Sequence, residues 1–243
     1  SLFFVGGAII TAMAVHETFG DTSTIYLTEE EEERIIMLKV NTARMDKNWD
    51  AILSDAQQMP EIESYTYSML AIGENFMHTK YMNEEHSWYL RVVYASPDYF
   101  NFFNVPMQGK VVDANAENMV YVSRAFYNQL QKDGVAGVVK LDGYEYQIAG
   151  VYESLHKEPG LVGQYIGSVV QPTLSDIYYY FRLTPQADAK ACVKKLETIC
   201  RKYVPETLPL EICLMSDRTK TTAGTVELLS YIFLLLGFIS LLV

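Results

Sequence analysis

Charge is missing from both ends of this chain. Residues 1–15 and 228–243 contain no Asp, Glu, Lys or Arg, so all 19 basic and 30 acidic side chains fall within 16–227. The first apolar run, Leu2 to Val15, is 14 residues long and the last, Leu228 to Val243, is 16. A helix needs about 20 apolar residues, at ~1.5 Å each, to cross the hydrocarbon of a bilayer. The runs therefore read as the end of one transmembrane helix and the start of the next, each continuing outside this stretch of chain. A signal peptide competes for the first run, but no Lys or Arg precedes Arg34 and there is no initiator Met. A buried core helix competes for the second, whose apolar residues leave no polar face. The charged middle is then a large loop between membrane helices.

This arrangement excludes a simple cytosolic enzyme. A net charge of -11 and a pI of about 4.8 exclude a nucleic-acid binder, because an acidic surface repels phosphate backbones. An aromatic content of 13% and a hydrophobic content of 49% exclude disorder in the middle block.

The usual chemical signatures are missing. No GxxxxGK[ST] occurs, so the chain does not itself hold ATP through a P-loop, and no GxSxG offers a nucleophile elbow. Gly160, Gly163 and Gly167 form a loose GxxGxxxG that is not the dinucleotide fingerprint. His16, His78, His86 and His156 match no zinc spacing, even with Glu84 and Glu85 nearby, and read as surface or loop residues. No cofactor and no catalytic residue is expected. Cys192 and Cys200 lie eight residues apart in a helical pattern, about 12 Å along the axis, too far for a disulfide. Cys213 could pair with either or neither, and all three read best as small core hydrophobes. The run Glu29 to Glu33 reads as a solvated, self-repelling, loop-like segment.

Patterning in the middle block predicts a fold. Ile36, Leu38 and Val40 alternate with Ile35, Met37 and Lys39, which predicts a strand over 34–41. Trp49, Ile52, Leu53 and Ala56 fall at i, i+3, i+4 and i+7, a helix capped by Asn48 and stopped by Pro60. Residues 62–71 alternate again. The same order returns over 177–215. An aromatic strand at 177–183 is followed by Thr184 as N-cap and Pro185 at the first helical position. Helical spacing then runs from Ala189 to Tyr203, and Leu210, Ile212 and Leu214 alternate in a last strand. Tyr178 to Tyr180 are expected to be half-buried. Two β-α-β units predict an α+β, ferredoxin-like layer.

Between the units, Trp88, Leu90, Val92 and Tyr94 predict a strand. Ser96 caps a short helix with Pro97 at its first position, and Tyr99, Phe100 and Phe103 form its packing side. Met119–Val122 predicts a strand and Ser123 the cap of a helix carrying Ala125, Phe126 and Leu130. Asp142-Gly143 between alternating segments is a strong hairpin signal. Tyr165 to Val170, ended by Pro172, predicts one more strand. Residues 98–175 thus read as a mostly β insertion.

The stretch Ala95 to Val105 resembles the S-P-D-Y-F-x-x-F segment of the MacB-like periplasmic core domain of FtsX-family ABC transporter permeases. Val120 to Phe126 resembles that family's v-v-i-S-x-x-x-A piece, with the Ala shifted, and Ile148-Ala149-Gly150-Val151 resembles its closing x-I-x-G-V strand. The likeness runs along the whole chain. Gln108-Gly109-Lys110 departs from the family's large-Gly-Arg step, 111–118 is short, and Val135 to Val138 replaces a P-x-G-K segment.

The resemblance implies the end of a transmembrane helix at 1–15, a porter-like subdomain from 16–97 and 176–227, an inserted β-rich lobe at 98–175, and the start of the next transmembrane helix at 228–243. Ser96, Pro97, Asp98, Tyr99, Phe100, Phe103 and Gly150 are the family-motif positions, expected to be structural. It also implies an extracytoplasmic domain on the bacterial inner membrane that does no chemistry. Such a domain passes the cycle of a separate cytoplasmic ATP-binding subunit across the bilayer, for export, lipoprotein release or signalling to envelope partners. Expected partners are that ATPase, a second permease in a homo- or heterodimer, the lipid bilayer, and a periplasmic adaptor or substrate. The alternative reading is a ligand-sensing domain of a membrane receptor or sensor kinase, which predicts long amphipathic helices leading in from the membrane.

Overall fold

The computed structural model describes residues 26–41, 49–69, 78–83, 87–96, 98–109, 118–153, 160–164 and 176–218, with the isolated positions 228, 231, 232, 235 and 239. The expected membrane segment at 1–15, the strand at 165–170, Asn48, Pro97, His16, His86 and His156 lie outside them.

The first half of the fold grows from β1 (Ile35–Asn41), whose two faces are both buried. Ile36, Leu38 and Val40 enter one core, and Ile35 and Met37 enter another. The period-two pattern of the sequence therefore divides one strand between two cores. From β1 the chain runs through α2 (Trp49–Gln57) to β2 (Ile62–Ser68); α1 (Glu29–Glu33) precedes β1. Late in the chain, β10 (Asp176–Leu183) leads through α5 (Ala189–Arg201) to β11 (Glu211–Leu214).

These four strands lie in the order β11-β1-β10-β2, every neighbouring pair antiparallel. β10 thus divides β1 from β2, and β1 divides β10 from β11, so the two β-α-β units interleave. Ile52, Ala56 and Met59 beside α2's second half, and Cys192, Leu196 and Cys200 of α5, fill the core on one sheet face. Ile52, Met59 and Leu196 each contribute about 1.5–3 kcal/mol by leaving water. Cys192 and Cys200 are buried free thiols and Cys213 is a partly buried one.

Two features of this half differ from expectation. The N-cap of α5 is Asp188, whose carboxylate accepts from the Ala191 N–H at 3.0 Å. Thr184 opens a separate turn, closed by Ala187 N–H on its carbonyl at 3.1 Å, and the helix starts only after it, at Asp188. Tyr178, Tyr179 and Tyr180 are fully buried rather than half-buried, since the sheet is covered on both faces.

The second half of the fold is a ring of six strands. β4 (Ser87–Ala95) pairs with β3 (His78–Met82), β3 with β7 (Val138–Leu141), β7 with β8 (Tyr144–Tyr152), β8 with β6 (Met119–Ser123), β6 with β9 (Gly160–Gln164), and β9 again with β4. The β4–β9 and β6–β8 contacts are parallel and the rest antiparallel. His78 opens a strand of this ring rather than a loop. Leu90, Val92, Val120, Val122, Val139 and Leu141 fill the interior together with Phe126 and Leu130 of α4 (Arg124–Lys132).

Local chemistry explains two of these pieces. Ser123 Oγ accepts from Phe126 N–H at 3.3 Å, capping α4. Asp142 and Gly143 both have positive φ, 45° and 91°, the left-handed pair that a two-residue hairpin demands.

Candidate functional site

The expected motif folds into the joint between the two halves. β5 (Met107–Gly109) and α3 (Tyr99–Phe102) lie here. The motif helix ends at Asn104, whose φ is 54°. Val105 N–H reaches back to the Phe100 carbonyl at 2.9 Å and Asn104 N–H to Asn101 at 3.2 Å, a Schellman arrangement that uses Asn for the left-handed residue. This tight stop lets one short helix present rings in opposite directions.

Phe100 points to the ring of strands, its centroid 5.1 Å from those of both Tyr121 on β6 and Tyr152 on β8. Phe103 points to the four-stranded sheet, 5.0 Å from Tyr180 on β10. Tyr99 stacks edge-on against both, at 6.0 and 4.9 Å. All three are buried, and with Ile35, Met37, Tyr178 and Met215 they form one core shared by both halves. Burial holds the Tyr99 and Tyr152 hydroxyls well above the ordinary tyrosine range, so both stay neutral.

Ser96 is buried but does not cap α3. Its hydroxyl shares a 2.6 Å hydrogen bond with Thr66 on β2, and its N–H goes to the Tyr67 carbonyl at 2.9 Å, so the edge of the sheet claims it first. Its carbonyl accepts from Tyr99 N–H at 3.1 Å. Asp98 occupies the N-cap position without a side-chain hydrogen bond to the helix and is exposed at a groove.

Gly150 is where β5 crosses β8. A Cβ there would lie 2.8 Å from the Gln108 carbonyl oxygen and 3.2 Å from a Tyr121 ring carbon. Its partner in register is Gly109, with φ 140°, where a Cβ would lie 2.5 Å from Ala149 O. Two facing glycines thus bring two backbones closer than any side chain permits. Gly109 belongs to the step that departs from the family pattern, and only the pairing reveals its importance.

The Glu run is a helix rather than the loop-like segment expected, with Glu29, Glu30 and Glu33 exposed as a solvated run would be. Thr28 Oγ1 accepts from Glu31 N–H at 3.2 Å and Glu31 returns a 2.8 Å bond to Thr28 N–H, a reciprocal capping box. Four acidic residues in the first turn face the positive end of the helix dipole, and Glu32 is 6% exposed. The Thr28 backbone N–H, then Asn104 and Arg182, hold the Glu31 carboxyl below the usual range against the opposing effect of burial.

Glu31 also belongs to the joint. It accepts from Asn104 Nδ2 at 2.8 Å and lies 3.8 Å from Arg182, whose guanidinium donates to the Phe102 carbonyl and covers the Phe102 ring at 4.9 Å. Beside this cluster lies a groove of about 540 Å³, lined by Arg34, Arg182, Glu63, Tyr65, Asp98 and Asn101 among others. No group of three His, Cys, Asp or Glu side chains among the described residues could hold a metal ion.

The periplasmic region of MacB from Actinobacillus actinomycetemcomitans superposes with a TM-score of 0.60 at 10% identity, over 83% of this chain and 97% of that one. A domain of a putative permease protein from Porphyromonas gingivalis gives 0.54 at 16% identity, over 75% and 89%. The extracellular domain of the noncanonic ABC-type transporter YknZ from Gram-positive bacteria gives 0.54 at 8%, over 73% and 99%. Likeness at these identities establishes the fold. No curated protein matches the chain. The sequence model of the MacB-like periplasmic core domain matches residues 4–199, and the chain belongs to that family.

Proposed function

We propose that this chain is the extracytoplasmic core of an FtsX-type ABC permease subunit, on the outer side of a bacterial inner membrane. It carries the conformational cycle of a separate cytoplasmic ATPase to export, lipoprotein release or envelope signalling. The interleaved β-α-β units, with strands β11, β1, β10 and β2, form a ferredoxin-like, porter-like layer. The ring of strands is the inserted lobe, and we draw its start at β3 rather than at 98, because β3 and β4 pair inside it. The apolar ends are membrane helices that pair with a second permease. Among the described residues no helix is long and apolar enough to cross a membrane. Leu228, Tyr231, Ile232, Leu235 and Ile239 are helical and exposed.

One observation carries the reading. The segments that lead in and out of the domain both dock on the joint core: Tyr26 and Leu27 on one side, Met215 on the other. Beyond Met215, Arg218 donates to the Met37 sulfur at 3.3 Å and lies over the Tyr178 ring at 5.6 Å. A displacement of either lead therefore presses on the contacts that orient the lobe. The long amphipathic lead that the sensor reading predicts would lie outside the described residues; within them a five-residue helix precedes β1.

The test is coupling in proteoliposomes of the full permease with its ATPase. Phe100→Ala is expected to leave ATP hydrolysis in place while substrate moved per ATP falls by about fivefold or more. Unchanged coupling, or purification of the full permease without any ATPase, would sink the proposal.

A further inference from the structure

The run of glutamates lies across the joint rather than beside it. Just before it, Tyr26 and Leu27 pack on the joint core, and burial, then Glu153, hold the Tyr26 hydroxyl above the ordinary tyrosine range. Glu153 follows β8 and pairs at 3.1 Å with Arg124, where α4 starts, so this contact is with the lobe. Glu31 Oε1 accepts from the Asn104 amide at 2.8 Å, at the end of α3, and lies 3.8 Å from Arg182 on β10. Arg34 then leads into β1, and its carbonyl accepts from Leu183 N–H at 2.8 Å. Lobe, motif helix and sheet layer are thus met in turn along 26–34. Arg218, on the leaving segment, instead rests on Met37 and Tyr178 of the sheet layer.

What holds α1 in place is local and polar. A helix of five residues lies far below the ~12–15 that stand alone in water, so it persists through its cap and its tertiary contacts. Glu31 supplies both: Oε2 accepts from Thr28 N–H in the capping box, and Oε1 accepts from Asn104 Nδ2. Both bonds lie at the exposed surface. Glu29 with Glu33, and Glu30 with Glu33, stand four and three residues apart, like charges that weaken a helix. Glu32 is buried, but its N–H bonds the Thr28 carbonyl, so it moves with the turn. Segments held by surface hydrogen bonds and few buried contacts open locally, at a fraction of the cost of global unfolding.

We propose that residues 28–33 are a releasable strap over the joint, closed by Asn104 and Arg182 on Glu31, which opens as one unit up to Arg34 while both halves stay folded. Closed, it fixes the entering segment against the end of α3. Open, it leaves a slack connection between that segment and β1, so a push on the segment no longer turns α3. The opening stands on these contacts alone; only its use as a clutch in the transport cycle rests on the function proposed above.

The experiment is amide hydrogen exchange, followed by NMR, on the detergent-solubilised, ¹⁵N-labelled 243-residue chain, with Asn104→Gly as the variant. Glycine keeps the left-handed backbone at this position, φ 54°, and removes the amide that Glu31 accepts. In the wild type the Glu32 N–H, bonded to the Thr28 carbonyl, is expected to be about a hundredfold or more less protected than the Leu183 N–H, bonded to the Arg34 carbonyl. Asn104→Gly should lower the Glu32 protection about tenfold further and leave Leu183 unchanged. Equal protection of Glu32 and Leu183 in the wild type overturns the proposal, since α1 would then open only with the sheet. Asn104→Gly leaving Glu32 unchanged, or lowering both amides alike, overturns it too. Each of these results leaves the transport reading standing, because that reading fails by the coupling test above. The wild-type comparison decides the matter even if Asn104→Gly folds poorly.

Discussion

Phe100→Ala is the most direct probe of how the two halves hold together. Phe100 is 2% exposed and touches three rings, two of them on strands of the six-stranded ring. Truncating a buried Phe costs about 3–5 kcal/mol. Its three ring contacts are part of that truncation cost, which places this site at about 4 kcal/mol. With a urea slope of about 1–3 kcal/mol per molar, the midpoint should fall by ~2 M. The chain has two tryptophans, and they report separately: Trp49 lies in α2 of the sheet layer and Trp88 in β4 of the ring. Trp49→Phe and Trp88→Phe backgrounds each leave one fluorophore. In detergent, both should give one midpoint with Phe100 intact. With Phe100→Ala the Trp88 transition should come first, because Tyr121 and Tyr152 lose their cover. Coincident transitions shifted by less than ~0.5 M would refute the view that this ring couples the halves.

Other predictions follow from single sites. Gly150→Ala should cost about 1–3 kcal/mol from overpacking against the Gln108 carbonyl, and Gly109→Ala more, by a further ~1–3 kcal/mol of backbone strain; thermal melts of the two variants check the order. Glu31 has a folded-state pKa below its unfolded value, so its contribution is present above the unfolded value and lost as pH falls through the folded one. The stability gap between wild type and Glu31→Gln should therefore shrink between neutral pH and about pH 3, measured by urea midpoints. The Cys200 thiol is pushed up to about 12 by burial, so in the folded protein at pH 8 it should be the last of the three cysteines to react with a maleimide; rapid native labelling of Cys200 would contradict its placement.

Local patterns were readable where a short-range rule decides the outcome. The alternation of β1, the Asp142-Gly143 turn, the Ser123 cap and the helical spacing of α5 depend on neighbours within a few residues, and all form as expected. The Glu run forms a helix because Thr28 and Glu31, three residues apart, make a capping box that charge alone does not show. Ser96 and Thr184 have the right residue type for a cap, but Thr66 takes the Ser96 hydroxyl and Thr184 closes a turn of its own before Asp188 caps the helix. β3 and β9 are short, and β9 contains two glycines, so neither shows a period; closure of the ring supplies their pairing. The groove was invisible in the same way. Arg34 and Arg182 are far apart in sequence and meet only because β1 and β10 pair with Ile35 opposite Arg182.

The interplay of these contacts bears on whether the domain can act as a lever. Between the two sheets, one residue pair among the described strands, Ser68 with Ala95, continues the ladder, flanked by Met69 N–H to the Tyr94 carbonyl and Ser96 N–H to Tyr67. Backbone bonds of this kind contribute about 0.5–1.5 kcal/mol each, enough to tether an edge but not to fix an angle. A buried aromatic contributes ~1.5–3 kcal/mol, and packed cores do not deform continuously. The angle between the halves is therefore held by Phe100 among Tyr99, Tyr121 and Tyr152 and by Phe103 on Tyr180. A small rotation cannot be shared out along a soft hinge; the ring of strands either moves with α3 or loses its contact. Tyr26, Leu27 and Met215 pack against that same core, so the transmission proposed above would run through these few rigid rings.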